Sequence, residues 1–145
     1  MLDDGMFLIQ PNLYLSTYNQ VQLATEDFFQ VNCTKDLPMV RAGIRIAIDD
    51  DPYEADAMFD SLMHAVRCID TQLKKGPGCI VVVHCLAALS RSPCVICAYL
   101  MWKLGMSMDV AIAHIQQVRP EAFTFSTNFH TTLARFELSL IKIEF

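Results

Sequence analysis

Cys85 and Arg91 sit in the stretch His84-Cys85-Leu86-Ala87-Ala88-Leu89-Ser90-Arg91-Ser92, with five residues between them. That spacing suits a tight loop whose backbone N–H groups turn inward and form a nest for an anion. A helix opening just after the loop adds the partial positive charge of its N-terminus. Arg91 offers a planar fork that can hold two oxygens of a phosphate at once. The same positive surroundings favour a thiolate at Cys85, the nucleophilic form of cysteine. A nucleophile, an oxyanion cradle and a bidentate cation thus share one turn of chain. The competing reading, a structural cysteine at a strand end with an unrelated surface arginine, leaves the sequence around them unexplained.

Those residues need a strand before them and a helix after them. The apolar, β-branched run at residues 80–83 predicts a strand over residues 79–84 that delivers Cys85 to its end. Ser92 is a good N-cap and Pro93 suits a first helical position, so a helix should run to about Leu104 and stop at Gly105. Upstream, Phe59, Leu62, Val66, Ile69 and Leu73 are spaced three and four apart, which predicts an amphipathic helix over residues 54–75. Ile44, Ile46 and Ile48 alternate with Arg45 and Ala47 as in a strand, ended by Asp49-Asp50-Asp51-Pro52. Phe7-Leu8-Ile9 and Leu13-Tyr14-Leu15 read as short strands about a turn at Pro11-Asn12, and residues 31–34 as another. The polar span 17–29 has no clear pattern. Ser107 should cap a helix ending near Arg119-Pro120, and Ser126 or Thr127 should open a last one with Phe129, Leu133, Phe136, Leu140 and Ile143 on one stripe. Strands alternating with helices imply one α/β domain over residues 1–145, with a mostly parallel central sheet flanked by helices. Ligands bind outside the carboxyl ends of strands in such sheets. Cys85 and the three aspartates each follow a strand, so both can face one crevice.

Composition narrows the function classes. Hydrophobic residues make up 53% of the 145, enough to prompt a search for a membrane span. The longest apolar run, residues 94–102, ends at Lys103 and is far short of the ~20 residues a span requires. The acidic start Met1-Leu2-Asp3-Asp4 lacks the basic residues of a signal peptide. A net charge of −5 argues against a nucleic-acid surface. Six cysteines without an export signal are expected to be free thiols in a reducing, cytoplasmic or nuclear compartment.

The stretch around Cys85 resembles the signature of cysteine-based protein phosphatases: Cys, any five residues, Arg, then Ser or Thr. His84 before it and Ser90-Arg91-Ser92 are most similar to the dual-specificity branch. Further landmarks resemble that family along most of the chain: Leu13-Tyr14-Leu15, residues 31–38, the Ala98-Tyr99-Leu100-Met101 helix and Arg119-Pro120. The resemblance implies hydrolysis of phosphotyrosine and phosphoserine or phosphothreonine in protein substrates, through a cysteinyl-phosphate and without a cofactor or metal. It implies Cys85 as nucleophile, Arg91 as clamp and residues Leu86, Ala87, Ala88, Leu89 and Ser90 as the cradle. Ser92 matches the hydroxyl that assists the leaving sulfur, and His84 a residue that orients the loop. The match puts Asp50 at the general acid's position; a shift of one residue would put Asp49 or Asp51 there. Ala88 departs from the family's usual glycine. A phosphate-binding pseudophosphatase that docks phosphoproteins is the alternative. Residues 86–90 hold no basic side chain, so lipid or RNA substrates are less expected.

Two other patterns invite plainer readings. Cys94-Val95-Ile96-Cys97 has redox spacing but lies within an apolar helix, so core packing is expected. His64, His114 and His130 show no metal-ligand spacing, and no metal is predicted.

Overall fold

A computed structural model describes residues 5–142. Met1-Leu2-Asp3-Asp4 and Ile143, used above, lie outside the described residues. The chain forms β1 (Phe7–Gln10), β2 (Leu13–Ser16), α1 (Tyr18–Leu23), β3 (Phe29–Asn32) and β4 (Gly43–Arg45), then a 3-10 turn (Pro52–Glu54). After it come α2 (Ala55–Leu73), β5 (Val81–His84), α3 (Arg91–Leu104), α4 (Met108–Val118) and α5 (His130–Lys142). The sheet order is β1-β2-β5-β3-β4. Among the described residues only the β1–β2 pair is antiparallel, joined through Asn12 at φ 66°, a conformation asparagine tolerates.

The centre of the sheet is β5, and all four of its residues are buried. Val81 and Val83 face the main core with Leu13, Leu15 and Val31, under apolar stripes of α2, α3, α4 and α5. Val82 and Tyr14 face the other way, covered by Val21 of α1 and by Phe28. A sheet buried on both faces accounts for the high apolar content. No described helix is long and apolar enough to cross a membrane.

Several boundaries differ from those read in the sequence. The strand expected at residues 44–48 pairs only over Gly43–Arg45, because the chain then turns, with the Ile48 N–H bonded to the Ile46 carbonyl at 2.9 Å. Ile46 and Ile48 keep their apolar alternation by staying buried, the Ile46 N–H still donating to the Asn32 carbonyl at 2.8 Å and Ile48 lying off the ladder. The unpatterned span 17–29 contains α1, capped by Thr17 Oγ1, which accepts from the Gln20 N–H at 3.2 Å. Helix α3 begins at Arg91, so Ser92 is not its N-cap and its hydroxyl has another partner. Gly105 does end α3, at φ 70°. Ser107 caps α4 as expected. The last helix opens at His130, after a turn in which Ser126 Oγ accepts from the Asn128 N–H.

Asp70, on the inner side of α2, accepts from Lys74 at 2.8 Å and from Lys103 of α3 at 3.0 Å. Burial alone pushes its carboxyl up; the two lysines outweigh this and hold it below the ordinary range. A depressed folded value stabilises the fold above the unfolded pKa of about 3.9 and loses that stabilisation as pH falls through the folded value. Both lysines are partly exposed, so we expect Asp70→Asn to cost about 1–2 kcal/mol near neutral pH after allowing for screening. Urea denaturation at neutral pH and in strong acid should show that gap closing as the pH falls. A gap of equal size at both pH values would show that the loss is one of packing.

Candidate active site

Strand β5 lies between β2 and β3, with His84 opposite both Ser16 and Asn32. Cys85 follows at the carboxyl end of this strand and is 3% exposed. The loop after it is held from outside by its carbonyls. Those of Leu86 and Leu89 accept from the backbone N–H groups of Tyr18 (3.0 Å) and Phe123 (2.8 Å). The Arg119 guanidinium donates to the Ala87 carbonyl at 2.9 Å and to that of Ala88 at 3.5 Å. Four successive carbonyls are thus bonded to the surrounding scaffold. Among the described residues, no protein group accepts from the N–H groups of residues 86–90.

Ala88 is fully buried and has φ 58°. The side chain that replaces the family's glycine therefore sits in the left-handed region, which costs an L-residue about 1–2 kcal/mol. Arg91 turns its guanidinium back toward the aspartate loop and donates through Nη1 to the Ile48 carbonyl at 3.0 Å. Its Nε is buried without a hydrogen-bond partner. A buried N–H of a cation with no acceptor is costly, and a phosphate oxygen would satisfy it. Ser92 is buried, with Oγ 3.0 Å from Cys85 Sγ.

The three aspartates have different partners. Asp49 pairs with Lys35 at 3.2 Å. Asp51 accepts from the Tyr53 N–H at 2.8 Å and caps the 3-10 turn. Asp50 is exposed and accepts from Asn128 Nδ2 at 2.9 Å. Ser126, two residues before Asn128, accepts from Ser90 of the loop at 3.5 Å. Segment 126–128 therefore touches both the loop and Asp50.

Cys33 extends the β3–β5 pairing by one step, its N–H bonded to the His84 carbonyl at 2.8 Å. Burial pushes its thiol well above the ordinary range, the charge of Cys85 pushes the same way, and Arg91 opposes them. Burial lowers His84, Arg45 and Arg91 lower it further, and its hydrogen bond to the Cys85 carbonyl opposes them. Cys94 and Cys97 are buried within α3, which is packing and no redox pair. Burial raises Cys94 well above its usual range and Cys97 to about 12. Among the described residues, no group of three His, Cys, Asp or Glu is placed to hold a metal ion.

The family model for the dual specificity phosphatase catalytic domain matches residues 10–139. The chain belongs to that family. It is 32% identical to mouse dual specificity protein phosphatase 8 over 94% of its own length and 21% of the relative's. It is 27% identical to the Caenorhabditis elegans tyrosine-protein phosphatase vhp-1, over 96% of this chain and 22% of that one. The chain thus spans about a fifth of the length of these relatives. Its fold is that of a mouse putative dual specificity phosphatase solved with zinc tungstate, at a TM-score of 0.86 and 23% identity, covering 98% and 92% of the two chains. Human DUSP28 is similar at a TM-score of 0.81 and 24% identity, over 96% and 97%.

The structure brings Cys85, Arg91, Ser92, His84 and residues 86–90 together at the end of β5, and Arg91 reaches the carbonyl just before the three aspartates. Sequence reasoning missed Asn128, Gln30 beside His84, and the bracing by Arg119. Arg119-Pro120 stood out only as a family landmark, and a glutamine inside the apolar run 28–31 was a signal left unread. One consequence can be checked by peptide mapping after brief treatment with iodoacetate near neutral pH. Of the four buried cysteines, Cys85 should be modified and Cys33, Cys94 and Cys97 spared, with inorganic phosphate protecting Cys85. Equal modification of Cys33 would mean that its burial and high pKa do not hold in solution.

Proposed function

We propose that this chain is an active phosphoprotein phosphatase, with residues 1–145 forming its catalytic domain. The observation that carries this reading is the scaffold's hold on four loop carbonyls, which leaves a set of N–H groups and the buried Arg91 Nε around one cysteine. In the first step the Cys85 thiolate attacks phosphorus while the bond to the leaving oxygen breaks. Loop N–H groups and the Arg91 fork hold the other three oxygens, where charge builds. Asp50 gives its proton to the leaving oxygen. In the second step Asp50 takes a proton from water, the water attacks phosphorus, and Cys85 departs as thiolate. The Ser92 hydroxyl, 3.0 Å from the sulfur, donates to it as it leaves. Asp50 suits the acid's role because it is exposed and its partner is the neutral Asn128 amide, whereas Asp49 pairs with the cation of Lys35 and Asp51 caps the 3-10 turn.

Short connections border the site, residues 86–90 on one side and 46–51 on another. With no longer loop there to deepen the pocket, both long phosphotyrosine and short phosphoserine or phosphothreonine side chains are expected to reach Cys85. Six free thiols suit a reducing setting, cytoplasmic or nuclear. The docking alternative draws on Ala88, whose strained φ weakens the cradle.

Hydrolysis of an aryl phosphate and of phosphopeptides tests the reading. Cys85→Ser should abolish both activities. Asp50→Asn should slow phosphopeptide turnover by ~100-fold or more, and substrates with good leaving groups less. If Asp49→Asn or Asp51→Asn shows that pattern instead, the acid is assigned one residue off. Wild-type protein that binds phosphate and turns over nothing would replace the enzyme with the docking module.

Ala88 gives a second, independent expectation. Since ~1.4 kcal/mol is tenfold in rate, relieving the strain with Ala88→Gly should raise kcat/KM several-fold, up to about tenfold. Inhibition by inorganic phosphate should tighten in parallel. Unchanged kinetics and phosphate inhibition would show that the loop accommodates the methyl group without loss.

A further inference from the structure

Gln30 is a fully buried glutamine in the middle of β3, and each of its four hydrogen-bonding positions is used. Its Oε1 accepts from the N–H groups of Val40 (2.8 Å) and Arg41 (2.9 Å). Its Nε2 faces the Pro38 carbonyl at 3.4 Å and His84 Nε2 at 2.8 Å. Gly43 of β4 packs so close that a Cβ there would lie 1.8 Å from the Gln30 carbonyl oxygen. Rotating the amide would place its NH2 against two backbone donors and its oxygen against a carbonyl, so the orientation is fixed.

The fixed amide dictates the state of its neighbour. An NH2 aimed at His84 Nε2 requires a lone pair there. The proton of the ring must then sit on Nδ1, which is 3.0 Å from the Cys85 carbonyl and donates to it. The other neutral tautomer would set two donors against each other at Gln30 and two lone pairs against each other at Cys85. An imidazolium would keep the bond to Cys85 but lose the one to Gln30. We propose that Gln30 is a positioning residue: it locks His84 as the neutral Nδ1–H tautomer, and the locked ring keeps the Cys85 carbonyl from competing with an anion for the loop N–H groups. The inference deepens the phosphatase reading, but its first test is independent of turnover.

The charged and titratable groups around the ring act in the same direction or stay apart. Arg45 from β4 and Arg91 from α3 both oppose a proton on the ring, as does its burial. The Tyr18 ring of α1 lies 5.8 Å from it, centroid to centroid. Cys85 follows in the chain, and Cys33 reaches only the His84 backbone. The Cys85 carbonyl requires a proton on Nδ1, and Gln30 is the group that requires Nε2 to stay bare.

Gln30→Glu isolates that role. A carboxylate still accepts from Val40 and Arg41, and it replaces a donor with an acceptor opposite His84. Side-chain 15N NMR of the wild-type protein should show His84 neutral and protonated on Nδ1 across about pH 5.5–8, a range in which an ordinary histidine titrates. In Gln30→Glu the same ring should take a second proton on Nε2, with a resolved midpoint inside that range. Aryl-phosphate kcat/KM should gain a matching inflection that the wild type lacks. Should the variant not fold, the wild-type spectrum decides alone. A wild-type His84 that is charged or protonated on Nε2 near neutral pH overturns the lock, as does a variant with an unchanged His84 titration. If the spectra agree with the lock and the wild type turns over no phosphate, the lock stands and the phosphatase reading falls.

Discussion

A peptide unit can present its N–H to an anion only by turning its carbonyl the other way, and each such carbonyl needs a donor of its own. This constraint explains much of what surrounds Cys85. The loop after it makes no backbone ladder, so its carbonyls must be met by groups from elsewhere. They are met by the start of α1 through Tyr18, by the end of α4 through Arg119, and by the turn at Phe123. Segments far apart in sequence thus close on one short loop. The shape of the loop is a property of the whole fold, and a peptide of residues 84–92 alone would lack every one of these partners.

The second constraint is charge. The chain carries a net −5, which repels phosphate at long range. Screening reduces that repulsion beyond roughly 8–10 Å at ordinary ionic strength, so attraction has to be made locally. Here the local terms are consistent. Arg91 points its unpartnered Nε into buried space, and Cys33 stays a neutral thiol one strand away. The carboxylate nearest in sequence to the Arg91 contact, Asp49, is paired with Lys35. That pair is exposed, so its contribution to stability is small. Its effect is to keep one negative charge occupied beside the site.

The sequence showed the chemistry more clearly than the support. The β-branched run before Cys85, the stripe of α2 and the stop at Gly105 were legible because periodicity and capping act over a few residues. The end of β4 was not, since Ile46 and Ile48 stay buried whether or not they pair, and burial is what an apolar alternation reports. The start of α3 was misread because Ser92 fits two roles, and only the position of the Cys85 sulfur chooses between them. The three aspartates were not separable in the sequence, because what distinguishes them is the partner each meets across the fold. The donors from Tyr18 and Phe123 are backbone groups and leave no trace in residue type. Gln30 left a trace of another kind, a buried amide where a strand would ordinarily carry an apolar side chain.

The same accounting bears on whether a loop with alanine at φ 58° can hold its shape. The strain is about 1–2 kcal/mol. Against it stands the Arg119 guanidinium, bonded to the carbonyls on both sides of the Ala87–Ala88 link and stacked over the Phe7 ring at 5.2 Å. A hydrogen bond from a charged donor is worth about 1.5–3 kcal/mol, so the short bond to Ala87 alone matches the strain. Arg119 is itself anchored by Glu121, two residues before Phe123, whose N–H takes the Leu89 carbonyl. The segment continues to Ser126 and Asn128, which touch Ser90 and Asp50. One stretch of chain, residues 119–128, therefore braces the strained loop and positions the candidate acid. The groups that brace the loop and the group that meets the aspartate thus lie within ten residues of one another.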